Sequence, residues 1–435
     1  MKILKNKPEL LAPAGNLEKM KTAFAFGADA VYAGIPDFSL RVRINDFTLE
    51  SLAEAVKYAH ERGKKVYVTI NIFAFNEQVA KLPQYLAVLK KIKPDGLIVS
   101  DPGVISTIKK HWKNAEIHLS TQANCTNAAA AEFWYKTGVK RVILGREVAF
   151  PDIAEIKQLV PDLEIETFIH GAMCMAYSGR CFLSKYIVDR SANQGDCVQP
   201  CRWKYDVDDA GESCQSRSTI IKPDGHQAEF ELVEEEHGSY ILNSNDMCMM
   251  NHMPELVASG LDSLKIEGRA KSVYYLAMVV GSYRKAIDKL WSGKLSAAAQ
   301  KQLIKKLQTE LEQKLVHRGY TESFMFGEGK LSQNLVNSHN TCEWEFCGQV
   351  TVGVGNQKSS KKELTLVKVH NALRVGDQIE VLLPGYDIIK KRVTKIYNAE
   401  TGEAMESAHG GQGKLIQLDL GKGIPEFAVI RRKLN

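Results

Sequence analysis

The sequence predicts a TIM-like (β/α)8 barrel followed by a small all-β barrel. Three observations carry this expectation. Short, continuously apolar runs alternate with amphipathic stretches from residue 9 to residue 269, the pattern of a parallel sheet covered by helices. Eight such β/α units over that length match the size of a TIM barrel, about 250 residues. The helical pattern then stops, and from 345 to 432 alternating strands joined by Gly, Asn and Asp turns take over. An open doubly wound sheet is the competing architecture. No G-x-G-x-x-G follows a strand to support it.

The elements follow in order. Residues 9–12 form the first strand and 17–25 the first helix. Strand 30–33 precedes helix 49–62, and the β-branched run KVYVTIN at 65–71 precedes helix 78–91. Strands 96–100, 116–121, 141–144 and 163–169 continue the series, with helices 103–112, 128–137 and 151–159 between them. The eighth strand, 263–266, lies beyond a polar, turn-rich segment at 205–240 that reads as an inserted excursion of one or two hairpins. Helices 273–291 and 297–317 close the first domain, expected over 1–335, and a linker at 319–343 leads to a second domain over 345–435. Its strands are expected in 347–355, 363–370, 378–385, 390–398 and 414–421.

Of the 435 residues, 44% are hydrophobic and 25% charged, the balance of an ordinary globular chain of two or three domains. The net charge of +6 permits a polyanionic partner without requiring one. The opening MKILKNKPELLAPAG carries no apolar h-region, and no run of eighteen apolar residues occurs, so neither export nor a membrane span is expected and the location expected is cytoplasmic. The nine cysteines are then expected to be reduced or metal-bound rather than bridged.

Four of those cysteines gather between His170 and Trp203: Cys174, Cys181, Cys197 and Cys201, spaced C-x6-C-x15-C-x3-C. Thiolates at this spacing can converge on one metal centre. Zinc sites prefer pairs two to four residues apart, which suits the second pair and not the first. An iron–sulfur cluster takes four thiolates at irregular spacing. The bland alternative is four unconnected cysteines packed as small hydrophobes. Cys248 is a spare that could replace Cys201 as a ligand.

Function in a TIM barrel gathers at the C-terminal ends of the strands. Those ends are polar here. Arg41 and Arg43 follow strand two, Gln122 and Asn124 strand five, Arg146 and Glu147 strand six, and His170 strand seven. Lys265, Glu267 and Arg269 end strand eight. Singly, each has a structural reading: ion pairs at strand ends, amides satisfying backbone, a core histidine. Together they make Arg146, Glu147, His170, Lys265 and Glu267 candidate catalytic groups, and Arg43, Gln122, Asn124 and Arg269 candidate substrate-binding groups. Arginine holds carboxylate or phosphate bidentately, so the mouth suits an anionic small molecule or a nucleic-acid backbone. No HExxH, G-x-S-x-G or P-loop occurs. In the second domain, Lys358, Lys361 and Lys362 and the tail Arg431-Arg432-Lys433 are either phosphate contacts or a solvated basic face.

Several long motifs carry a family likeness: ELLAPAGN at 9–16, GADAVYAG at 27–34, LSTQANCTN at 119–127, the HGAMC…SGRC…GDCVQPCRWKY block, and HGSYILNSNDMC…SLKIEGRAKSVYY at 237–275. Over nearly the whole length the chain resembles the collagenase-like U32 peptidase family. YRKAI after the IEGR strand places it nearest the branch that makes 5-hydroxyuridine in tRNA. The second domain is similar to that family's C-terminal domain, itself like the second domain of elongation factor Tu. The resemblance implies a 4Fe–4S cluster on Cys174, Cys181, Cys197 and Cys201. It also implies oxygen-independent hydroxylation of the wobble uridine of tRNA, dependent on prephenate, a dicarboxylate. The peptidase activity of other members, and an RNA-binding module whose cluster only staples the loop, are the alternative expectations.

Overall fold

The computed structural model describes residues 6–40, 46–174, 176–178, 180–203, 205–209, 218–223, 230–233, 244–327, 342–351, 364–411 and 413–434. In chain order its first half runs β1 (Glu9–Pro13), α1 (Leu17–Ala25), β2 (Ala30–Gly34), α2 (Leu49–His60), β3 (Lys65–Ile70) and α3 (Asn76–Ile92). It continues through β4 (Gly96–Val99), α4 (Pro102–His111), β5 (Ile117–Leu119), α5 (Ala128–Lys136), β6 (Arg141–Ile143), α6 (Phe150–Leu159) and β7 (Glu164–Ala172). Then come α7 (Leu183–Val188), β8 (Tyr205–Asp209), β9 (Ser218–Pro223), β10 (Phe230–Val233), β11 (Asp246–Cys248), α8 (Met253–Ala258) and β12 (Ser263–Ile266).

Strands β1 to β7 pair in parallel with their sequence neighbours, and β12 closes the circle by pairing with both β1 and β7. The result is a closed, eight-stranded parallel TIM-type barrel. Its strands are apolar on both faces because both are covered: β2 and β4 are buried throughout. The helices start where the sequence supplies a cap. Asn16, Asp101, Asn127, Ser272 and Ser296 each accept a hydrogen bond from a first-turn N–H. The excursion before the last barrel strand is a three-stranded antiparallel sheet, β10-β9-β8. Several short elements have no counterpart in the sequence expectation, among them α7, β11 and α8. Strand β11 runs antiparallel along the end of β7, outside the barrel, and α8 follows it.

Helix α9 (Val273–Trp291) is the most deeply covered helix, and α10 (Ala297–Lys314) packs beside it. Short elements β13 (Tyr320–Thr321) and α11 (Ser323–Phe326) end this half. The second half consists of β14 (Trp344–Val350), β15 (Thr365–Val369), β16 (Leu373–Arg374), β17 (Gln378–Leu382), β18 (Ile388–Arg392) and β19 (Ile396–Asn398). Strands β20 (Ala404–Met405), β21 (Ser407–Ala408), β22 (Leu415–Leu418) and β23 (Val429–Lys433) complete it. Eight of these form one antiparallel sheet, ordered β18-β17-β23-β14-β15-β22-β19-β20, curled as a half-barrel.

The second half departs from expectation twice. Residues 390–398 are not one strand: β18 pairs with β17, the chain then leaves that edge, and β19 pairs with β22. The basic tail is not a cationic face. Strand β23 lies between β14 and β17, so Arg431 is fully buried and paired with Glu310 of α10 and Glu380 of β17. Arg432 pairs with Glu345 and Asp377, and Lys433 with Glu343. Lys358, Lys361 and Lys362 lie outside the described residues. The halves share one core: Leu382, Tyr386 and Val429 belong to the same apolar cluster as the barrel. Gly281 of α9 admits the Tyr386 ring so closely that a Cβ there would sit 2.5 Å from it.

Candidate active site at the barrel mouth

The floor of the site begins inside the barrel with a buried ionic chain. Glu9, Arg141 and Glu164 open β1, β6 and β7, so they meet at the bottom of the barrel. Arg141 reaches Glu9 at 2.6 Å, Glu164 at 2.8 Å and Glu166 at 3.1 Å. The other oxygen of Glu166 holds the Lys265 ammonium at 3.0 Å. Burial by itself would raise the Glu166 carboxyl, but Lys265 and Arg141 outweigh it and hold it below the usual carboxylate range. Burial lowers the Lys265 ammonium against the pull of Glu166. Phe168 sits two residues beyond Glu166 on the same face of β7, and the Arg146 guanidinium lies 3.9 Å over its ring.

Above this floor opens a cavity of about 680 Å³ at the C-terminal ends of the strands. Its walls include Arg146, Glu147, Lys265, Glu267, Arg269 and Gln122. The cysteine segment roofs it. Gly171, at φ +116°, lets β7 turn into that segment where a Cβ would collide with the Glu267 carbonyl. Glu147 then ties the loop down, accepting from Ser178 N–H at 2.8 Å and Ser178 Oγ at 3.0 Å. Asn193 Oδ1 accepts from Cys181 N–H at 3.3 Å, and Asn193 C=O accepts from Phe73 N–H at 3.1 Å.

Cys174, Cys181, Cys197 and Cys201 all line this cavity. Burial pushes the Cys201 thiol up to about 11, with Arg202 opposing and the other three thiols adding to the rise. None of the four is in a disulfide. As they stand, no group of three or more His, Cys, Asp or Glu among the described residues grips a metal position. The donor set nevertheless suits a cluster in kind: four thiols from one loop, each facing the same space. Cys248 is elsewhere, buried on β11 with Sγ 3.4 Å from Gln308 Oε1.

The remaining candidates divide. Gln122 accepts from Asn71 Nδ2 at 3.3 Å and from Ser120 Oγ. Arg269 donates to the Leu40 carbonyl and, at 3.4 Å, to Thr69 Oγ1, so part of its fork is spent on the wall. Arg146 Nε is buried without a hydrogen-bond partner among the described residues. Asn124, in the left-handed region at φ 51°, faces Arg180 rather than the cavity. With its amide oxygen turned to that guanidinium it accepts at 2.8 and 2.9 Å. His170 does not line the cavity. It packs against Tyr275, Tyr283 and Tyr320 on the helix side of the barrel, with Nδ1 3.3 Å from Tyr283 Oη. Burial lowers its pKa to about 3. Arg43 lies outside the described residues.

Sequence reasoning missed Glu166, Arg180 and Arg202. Glu166 had a legible signal, a carboxylate alternating with Phe168 on one face of an otherwise apolar strand stretch. Arg180 and Arg202 sit in a loop without periodicity, which gives no orientation to read.

Residues 15–334 match the family described as peptidase family U32, and residues 343–431 match the peptidase family U32 C-terminal domain. The chain is 42% identical to tRNA hydroxylation protein P of Escherichia coli, over 93% of this chain and 92% of that protein. It is 39% identical to tRNA hydroxylation protein P of Haemophilus influenzae, over 98% and 96%. It is 31% identical to the 23S rRNA 5-hydroxycytidine synthase of Escherichia coli, over 88% of this chain and 54% of that protein.

Proposed function

The chain belongs to peptidase family U32, and from that premise we propose that it hydroxylates RNA, specifically the wobble uridine of tRNA at C5. In this reading prephenate supplies the hydroxyl group, and Cys174, Cys181, Cys197 and Cys201 hold a 4Fe–4S cluster. One observation carries the proposal: four thiols and the cationic groups of Arg146, Lys265 and Arg269 face a single cavity. It does so in a chain alignable almost end to end with proteins named for tRNA hydroxylation. When bound, the cluster would supply electron transfer. Arg146, with a buried donor left over, is the natural fork for one carboxylate of the small acid. Lys265 offers a second cation, and Glu166 fixes its ammonium toward the cavity floor.

Peptidase chemistry finds less support. No histidine lines the cavity among the described residues, so no Cys–His or Ser–His dyad is formed there. The deciding experiment is nucleoside mass analysis of tRNA from a deletion strain. We expect the hydroxylated uridine to vanish, to return with the wild-type gene, and to stay absent with Cys181→Ala. Undiminished modification in the deletion strain would refute the reading. Protein purified without oxygen should be brown with about four irons per chain, and stoichiometric zinc instead of iron would remove the cluster from it.

A further inference from the structure

Three aromatic side chains at the roof of the cavity stand in solvent. Tyr177 is 55% exposed, Phe182 74% and Tyr186 77%, and all three line the same cavity as the four cysteines. Large exposed rings are costly to leave in water and mark a surface that meets something. Phe182 is the N-cap of α7, and Tyr186 N–H donates to the Phe182 carbonyl at 2.8 Å. The two rings therefore rise from one turn on one helix face, with Cβ atoms about 5–6 Å apart.

Charge says what the surface meets. Arg180 and Arg202 line the same opening, Arg180 facing Asn124 and Arg202 donating to Gln199 Oε1, and Arg146, Lys265 and Arg269 line the cavity beneath, beside Glu147 and Glu267. An apolar protein segment would cover the rings but would bring no anion to these guanidinium groups. A nucleotide matches both, since its base has a face to stack and its phosphate an anion to pair. The cavity, about 680 Å³, is within the size range of small-ligand sites. A duplex would present neither an open base face nor a protruding nucleotide to the rings.

We propose that Phe182 and Tyr186 form a stacking platform for the bases flanking the target in a single-stranded RNA loop, with Tyr177 at the same opening. The platform deepens the reading of the chain as an RNA hydroxylase and supplies that enzyme's preference for unpaired substrate. Base–aromatic stacking predicts that Phe182→Ala and Tyr186→Ala each weaken RNA binding roughly tenfold.

The test uses the full-length protein prepared without oxygen and two probes. One is a synthetic RNA hairpin with a uridine-containing single-stranded loop, and the other is the fully paired duplex of the same stem. The Ala variants should retain wild-type iron content, lose affinity for the hairpin, and bind the duplex as weakly as wild type does. Phe182→Trp should keep hairpin affinity, and its indole fluorescence should be quenched when the hairpin binds but not when the duplex is added. Phe182→Leu keeps the apolar bulk without the ring and should behave like Phe182→Ala. Hairpin binding unchanged in the double Ala variant overturns the proposal, as does Phe182→Leu binding as wild type. The binding assay does not depend on turnover. Weaker hairpin binding by the Ala variants, with tRNA still hydroxylated in the deletion strain, would refute the enzymatic reading alone, and unchanged hairpin binding by the double Ala variant, with hydroxylation lost in the deletion strain, would refute the platform alone.

Discussion

Two arginines show what single residues do here. Arg269 and Arg146 both face the cavity, but their guanidinium groups are differently committed. Arg269 is held by the Leu40 carbonyl and Thr69, whereas Arg146 has a buried Nε without a partner among the described residues. Arg146→Lys keeps the charge and removes the fork. We expect it to raise the prephenate concentration for half-maximal activity by roughly tenfold or more, in line with the loss of a charge-assisted hydrogen bond, with iron content unchanged. Arg269→Lys should instead lower thermal stability first. His170 gives a pH signature. Its folded pKa is depressed to about 3 from the usual 6.5, so below pH 6.5 the unfolded chain takes up a proton that the folded one refuses. Stability is therefore lost as pH falls through 6.5, at a slope that approaches about 1.4 kcal/mol per unit well below it for this group. Urea unfolding between pH 7 and 5 should show that slope, and His170→Gln should flatten it. The buried His118, also depressed by desolvation, keeps a share of it.

Among the elements, the cysteine loop depends on what pins it to the barrel. Glu147 was expected among the catalytic groups from its place after β6. Its carboxylate lines the cavity and accepts two bonds from Ser178, midway between Cys174 and Cys181. Glu147→Ala should release the loop and lower iron retention several-fold while the barrel unfolds at nearly its normal temperature. Glu147→Gln, which can still accept from Ser178, should retain most of the iron. Iron content equal to wild type in Glu147→Ala, with activity lost, would assign this residue to chemistry rather than positioning. The small half-barrel shows a second effect at this scale. Strand β23 was legible as a basic tail and not as a central strand, because RRK looks like a solvated end until its neighbours are known.

At the scale of the whole molecule the two halves are one cooperative body. Arg431 is fully buried between Glu310 of the barrel half and Glu380 of its own sheet, and Lys314 also reaches Glu380 at 3.0 Å. Removing one member of such a network leaves the others uncompensated, which typically costs about 3–5 kcal/mol. Arg431→Met should therefore destabilise both halves together in a single thermal transition. Adding Glu310→Gln and Glu380→Gln should recover part of the loss. Arg432→Gln should not change the salt dependence of RNA binding, since its fork is already taken by Glu345 and Asp377.

Periodicity made the parallel barrel, its helices and the change to an antiparallel half legible, because apolar spacing reflects which faces a strand or helix must bury. The gathering of four cysteines after β7 was legible too, since they are neighbours in the chain. What the chain could not disclose are contacts between residues far apart in sequence. The His170 side chain, two positions beyond Phe168, faces tyrosines of α9 and β13 and not the mouth. The ammonium of Lys265 answers to Glu166, and Arg431 to Glu310, across 99 and 121 positions. Local pattern states which face of an element is apolar. Only closure of the barrel and docking of the second sheet decide which charge stands opposite which, because that depends on register and packing between elements.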